Sequence, residues 1–141
     1  FLITLKKPKK ILEIGTSNGY STIWLGREGN SVFTIEQDPK KVTLAQANFT
    51  SVGLKNIHIF EGNALEILDK LQDSFDFVFV DGTKREYVEY IKKIRLNKEA
   101  IVVADNILSH ADKVKDYLAY VRNKYDSFFI PIGSGLEVSI F

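Results

Sequence analysis

Apolar runs of five or six residues alternate along the chain with segments whose apolar residues recur at helical spacing, and short polar joints separate them. Such alternation predicts βαβ units building a mostly parallel sheet. Lys10 to Gly15 reads as a buried strand, and Tyr20 to Arg27 as a helix with Tyr20, Ile23 and Trp24 at helical spacing, stopped at Gly29-Asn30. Ser31 to Glu36 is the second strand. Asp38-Pro39 then opens a helix with an N-cap residue and a proline at the first helical position, and Val42, Ala45 and Phe49 form its stripe up to Gly53. Ile57 to Glu61 follows as a strand and Ala64 to Leu71 as a helix. The pattern continues with a strand over Phe75 to Val80, a helix over Arg85 to Ile94, a strand over Ala100 to Ala104 and a helix over Ala111 to Lys124. The end breaks this rhythm. Phe128 to Ile132 and Leu136 to Phe141 are β-like runs joined by Gly133-Ser134-Gly135, too short for a parallel crossover, so they must pair antiparallel. The expected fold is therefore α/β: a Rossmann-like, doubly wound, mostly parallel seven-stranded sheet with an antiparallel C-terminal hairpin, in one domain over residues 1–141.

Composition narrows the chemistry. With 45% hydrophobic and 26% charged residues, the chain is built to fold around a core. Cysteine is absent, which excludes disulfides, thiolate metal sites and cysteine nucleophiles, and suits a reducing, cytoplasmic compartment. Nineteen basic residues against eighteen acidic ones give no field strong enough to imply nucleic acid or membrane by itself. No apolar run approaches a membrane span. The chain starts at Phe1 and has no methionine, as expected of a processed or incomplete form of a longer polypeptide.

In an open doubly wound sheet, ligands bind beyond the carboxyl ends of the strands. The joints there read Gly15-Thr16-Ser17-Asn18-Gly19, Glu36-Gln37-Asp38, Glu61-Gly62-Asn63-Ala64, Asp81-Gly82-Thr83-Lys84 and Asp105-Asn106. Each could be turns and helix caps; five polar joints together point to a site. The first is G-x-x-x-G, which supports phosphate binding only weakly. Its small residues still let a ligand lie against the backbone. Glu36, about 20 residues on, is placed to accept hydrogen bonds from ribose hydroxyls. Glu13, inside the first strand, is either a complement to a cationic ligand or a capped structural acid.

The run Ile11 to Thr22 resembles the first motif of class I S-adenosylmethionine-dependent methyltransferases, specifically the metal-dependent O-methyltransferases of the catechol and caffeoyl-CoA type. Further matches follow in order at Thr34-Ile35-Glu36, Glu61 to Ala64, Val78 to Asp81 with Lys84, Ala104 to Leu108, and Pro131 to Leu136. The resemblance implies S-adenosyl-L-methionine as cofactor, bound by Glu13, Gly15, Thr16, Ser17, Gly19, Tyr20, Ser21, Glu36, Gln37, Gly62, Asn63, Ala64 and Asp81. It implies Mg²⁺ or another divalent cation on Asp81, Asp105 and Asn106, all hard oxygen donors. Lys84 matches the catalytic base, and an ammonium placed beside a dication gives up its proton more readily. The acceptor is then a small molecule with a hydroxyl and a neighbouring oxygen.

The alternatives are a tRNA hydroxyuridine methyltransferase, to which the lysines at 6, 7, 9 and 10 could lend anion affinity, and a catalytically silent S-adenosylmethionine-binding module. His110 reads as a helix-start residue, His58 as structural, and Trp24 as packing its helix onto the sheet. Gly82 stands where catechol-type enzymes carry a larger residue. The family's N-terminal helices are represented by Phe1 to Leu5 at most, so an apolar surface around the first strand is expected, and with it a homodimer.

Overall fold

A computed structural model describes residues 1–141. After a short helix α1 (Leu2–Lys6), the elements alternate as β1 (Lys10–Ile14), α2 (Tyr20–Gly26), β2 (Ser31–Glu36), α3 (Pro39–Ser51), β3 (Ile57–Glu61), α4 (Ala64–Lys70) and β4 (Ser74–Val80). A 3₁₀ turn over Lys84–Glu86 leads into α5 (Tyr87–Lys93), followed by β5 (Arg95–Ala104), α6 (Ala111–Lys124), β6 (Asp126–Ile130) and β7 (Leu136–Ile140). One seven-stranded sheet has the order β3-β2-β1-β4-β5-β7-β6. The first five strands pair in parallel, and β7 runs antiparallel between β5 and β6. Strand order reverses between β1 and β4. Their carboxyl ends diverge into helices there, leaving a crevice.

Alternation along each strand builds a core on both faces. Leu12, Val78 and Val102 face α4, α5 and α6 with Leu68, Tyr87, Ile91, Val114 and Tyr117. Ile11, Phe77 and Val103 face the other way, against Leu25 of α2 and the partly buried Leu2 and Ile3 of α1. Through Leu2 and Ile3, α1 thus packs on the side of the sheet carrying α2, while Phe1 and Leu5 stay exposed. An apolar groove of about 710 Å³ lies there, lined among others by Leu2, Trp24, Phe79 and Ile132.

Several boundaries differ from expectation, most by one or two residues, and three of them have a visible structural origin. β5 begins at Arg95 rather than Ala100, because its polar start Arg95–Leu96 pairs with Ser74–Phe75 before a register shift. Residues Lys84 to Glu86 form a 3₁₀ turn, not helix. β6 begins two residues earlier than expected, with its register fixed by Ser127↔Ser139 and Phe128↔Val138.

Trp24 is a correction. The residue is 54% exposed, its ring lies under the Arg27 guanidinium at 4.5 Å, and it does not pack α2 onto the sheet. The buried face of α2 is Thr22, Leu25 and Gly26. Thr22 is held by a hydrogen bond to Glu13 of β1. Positions two apart on a helix point about 200° apart, so anchoring Thr22 inward turns Tyr20 and Trp24 to solvent.

Candidate active site

At the switch point, backbone hydrogen bonds splice the strand ends together. Gly15 and Thr16 donate from their amides to the Ile35 carbonyl, Asp81 donates to Ile14, Gly62 to Glu36 and Asp105 to Val80. The joints expected to bear chemistry are thereby gathered along one edge. Gly15 has φ of +101°, and a Cβ there would sit 2.6 Å from the Asp81 carbonyl oxygen. Only glycine lets β1 turn this close to the end of β4.

A cavity of about 210 Å³ opens at this edge. Gly15, Glu36, Gln37, Gly62, Asn63, Ala64 and Asp81, all expected to meet the cofactor, line it. Glu36 is nearly buried, and its position is fixed. Its Oε2 accepts from the Ser17 amide at 2.8 Å, and its Oε1 from the Gln37 and Asp38 amides at 3.0 Å each. A carboxylate offers about four acceptor positions. Backbone amides take three of them, so Glu36 has one left for a ribose hydroxyl and also pins the glycine loop.

The remaining residues expected at the cofactor stand behind or beside the cavity wall. Glu13 is fully buried and accepts hydrogen bonds from the hydroxyls of Ser21 (2.5 Å), Thr22 and Thr34 (2.6 Å). Thr16 joins the same network through Thr34. Desolvation pushes the Glu13 carboxyl up to about 7, against the pull of its three hydroxyl partners and with some help from the charge of Asp81. Gly19 lies under the Phe49 ring, with no room for a side chain. Tyr20 is exposed on α2. Sequence reasoning missed Lys41, Glu86 and Tyr90, which also line the cavity, as does Thr83 of the Asp81 joint. The spacing of Glu86 and Tyr90, one helical turn apart just after the Asp81 joint, was the available signal.

Asp81, Lys84, Asp105 and Asn106 come together at the ends of β4 and β5. Asp81 Oδ1 accepts from Lys84 Nζ at 2.7 Å and from Asn106 Nδ2 at 2.8 Å. Asp105 Oδ1 accepts from the Asn106 amide at 2.5 Å and from Ser134 Oγ, on the hairpin loop, at 2.7 Å. Asn106 reaches this position with φ of +68°, a left-handed conformation that asparagine tolerates. Below them Tyr87 donates to the Asp105 carbonyl. Burial and the charges of Asp81 and Asp105 push its hydroxyl well above the ordinary tyrosine range, so it stays a neutral donor.

No group of three His, Asp or Glu side chains suited to a cation exists in the chain. A divalent ion here would therefore need the amide oxygen as well as the two carboxylates. Oδ2 of Asp81 and Oδ2 of Asp105 have no protein donor, and an Asn106 amide turned to present Oδ1 in place of the Nδ2 that now donates to Asp81 would complete an all-oxygen donor set that fits a hard cation. His110 stands at the start of α6 beside Ser109, and His58 is exposed against Phe33.

Such a sheet, with β7 inserted antiparallel and a polar cavity at the β1/β4 switch point, is that of the Rossmann-like methyltransferases. The family model described as O-methyltransferase matches residues 1–125. A catechol O-methyltransferase from Niastella koreensis is 38% identical over 117 residues, 76% of this chain and 53% of that protein. A catechol O-methyltransferase from Mycobacterium tuberculosis is 38% identical over 107 residues, 71% of this chain and 49% of that one. Among solved structures, the O-methyltransferase TomG of Streptomyces achromogenes, in complex with S-adenosylmethionine, superposes with a TM-score of 0.87 at 27% identity, covering 99% of this chain and 75% of that one. The chain belongs to the O-methyltransferase family. It spans about half the length of these two curated relatives.

Proposed function

We propose that this chain carries the S-adenosylmethionine site and the catalytic side chains of a divalent-metal-dependent O-methyltransferase acting on a hydroxyl with a neighbouring oxygen. The observation that carries this is the meeting of Asp81, Lys84, Asp105 and Asn106 beside the cavity. When bound, S-adenosylmethionine supplies a methyl group made electrophilic by its positive sulfur, and a divalent cation would add Lewis acidity at the acceptor oxygens.

The chain's own residues do the rest. Asp81, Asp105 and Asn106 would hold the cation, and Ser134 and the Asn106 amide keep the Asp105 carboxylate oriented. Lys84 Nζ, on a side chain only 14% exposed, takes the proton from the acceptor hydroxyl as the neutral amine, which becomes the ammonium that pairs with Asp81. Glu36 and the Gly15 turn orient the ribose. The site chiefly positions two reactants and removes one proton.

Methyl transfer from labelled S-adenosylmethionine to a panel of catechols, hydroxycinnamoyl and flavonoid acceptors and bulk tRNA tests the proposal. Label in a vicinal-dihydroxy acceptor, dependent on Mg²⁺, is the expected result. Label only in tRNA would move the substrate to hydroxyuridine, and no label in any acceptor would leave a binding module.

A further inference from the structure

One carboxylate in the cavity has no part in the chemistry above. Glu86 stands at the N-cap position of α5, yet its side chain caps no backbone amide there. Instead, its Oε2 accepts from the Tyr90 hydroxyl, one turn later, at 2.6 Å. Tyr90 is almost completely buried, so the carboxylate is anchored to a fixed point. The Tyr90 hydroxyl is pushed up to about 12, by burial first and then by Glu86, which keeps it a donor. Glu86 Oε1 has no protein donor, and Glu86 lines the cavity. An acceptor held in one orientation, with one oxygen unused, is a recognition element for a ligand that brings an N–H group.

The layout of the cavity says which part of the ligand meets it. Glu36 has one acceptor position for the ribose, and the reacting methyl must lie towards Asp81 and Lys84. The base is then left with Gly62 to Ala64, Thr83, Glu86 and Tyr90. At the 6-position a 6-aminopurine presents an N–H donor, whereas a 6-oxopurine presents there an oxygen that a carboxylate repels, with its own N–H one ring atom away at N1. Resting on the S-adenosylmethionine reading above, we infer that Glu86, oriented by Tyr90, is the residue that selects a 6-aminopurine over a 6-oxopurine in the cofactor.

Calorimetric titration with S-adenosylhomocysteine and with S-inosylhomocysteine tests this without turnover. Wild type should prefer the adenosyl ligand at least tenfold, the scale of one charge-assisted hydrogen bond. Glu86→Ala should shrink the preference to about threefold or less. Glu86→Gln, nearly isosteric, can turn its amide N–H to the 6-oxygen and should bind the inosyl ligand more tightly than wild type does, a gain that a merely structural residue would not produce. Thermal melts confirm that each variant is folded. An unchanged preference in the folded Glu86→Gln variant overturns the assignment while leaving the cofactor reading intact. Failure of wild type to bind S-adenosylhomocysteine at all overturns both.

Discussion

Lys84 and Glu13 show how environment divides the work of charged side chains around one crevice. On the proposed reading Lys84 takes the proton of the acceptor hydroxyl, so Lys84→Ala should lower kcat by about 10²- to 10⁴-fold, the usual contribution of a general base. Cofactor affinity measured by calorimetry should change little, and a variant that loses the cofactor but keeps its rate would show that Lys84 binds rather than reacts. Glu13 faces inward, and its effect is on stability. With its carboxyl raised from 4.5 to about 7, the folded chain keeps a proton that the unfolded chain has lost between those values. Stability therefore falls as pH rises through that window, by on the order of 3 kcal/mol for this fully buried group. Urea midpoints should drop between pH 5 and pH 8 in wild type and drop less in Glu13→Gln; parallel pH profiles would remove Glu13 as the cause. Of the two roles the sequence left open for Glu13, the hydroxyl cage supports the structural acid. Three hydroxyls from α2 and β2 converge on it, and no strand-by-strand pattern could announce that.

Among the elements, strands and most helices were legible because period-two and helical spacing differ sharply, and because Asp38-Pro39 and Asn63 mark helix starts that the structure bears out with side-chain caps. What misled was the rotation of α2. Aromatic residues at helical spacing suggested a buried stripe, yet the Thr22–Glu13 hydrogen bond sets the inward face. The polar beginning of β5 was missed for a related reason: pairing with β4 holds it in the sheet without an apolar run. The C-terminal hairpin depends on a clamp that is equally silent in sequence. Arg122 of α6 donates from Nε and Nη2 to the two oxygens of fully buried Glu137 on β7, both at 2.7 Å. Removing the guanidinium leaves a buried charge held only by the Ser127 hydroxyl. Arg122→Ala should thus destabilise the fold by about 3 kcal/mol in urea unfolding, less if water reaches the half-exposed Arg122 side of the pair. A change under ~0.5 kcal/mol would show that the clamp is a surface pair in energetic terms.

At the scale of the whole molecule, the reversal of strand order at β1 and β4 turns separate joints into one site. Residues as distant in sequence as Asp81 and Asn106 become hydrogen-bonded because β4 and β5 are neighbours and end together. Motif order along the chain sufficed to locate those ends. The contribution of Ser134 was hidden, since its hydroxyl reaches Asp105 from the loop between the last two strands, and only the insertion of β7 beside β5 brings it there. No helix is long and apolar enough to cross a membrane. The sheet, complete from backbone pairing and core packing, does not depend on a cation for its integrity. On the proposed reading, a cation serves the loop carboxylates Asp81 and Asp105 rather than the sheet. The most direct test is therefore the rate of methyl transfer from labelled S-adenosylmethionine to a catechol acceptor, in Mg²⁺ and in excess chelator, for wild type and for Asp105→Ala. Transfer should occur in Mg²⁺ and vanish in chelator with an unchanged circular dichroism spectrum, and Asp105→Ala should behave in Mg²⁺ as wild type does in chelator. Undiminished transfer in excess chelator would contradict the account.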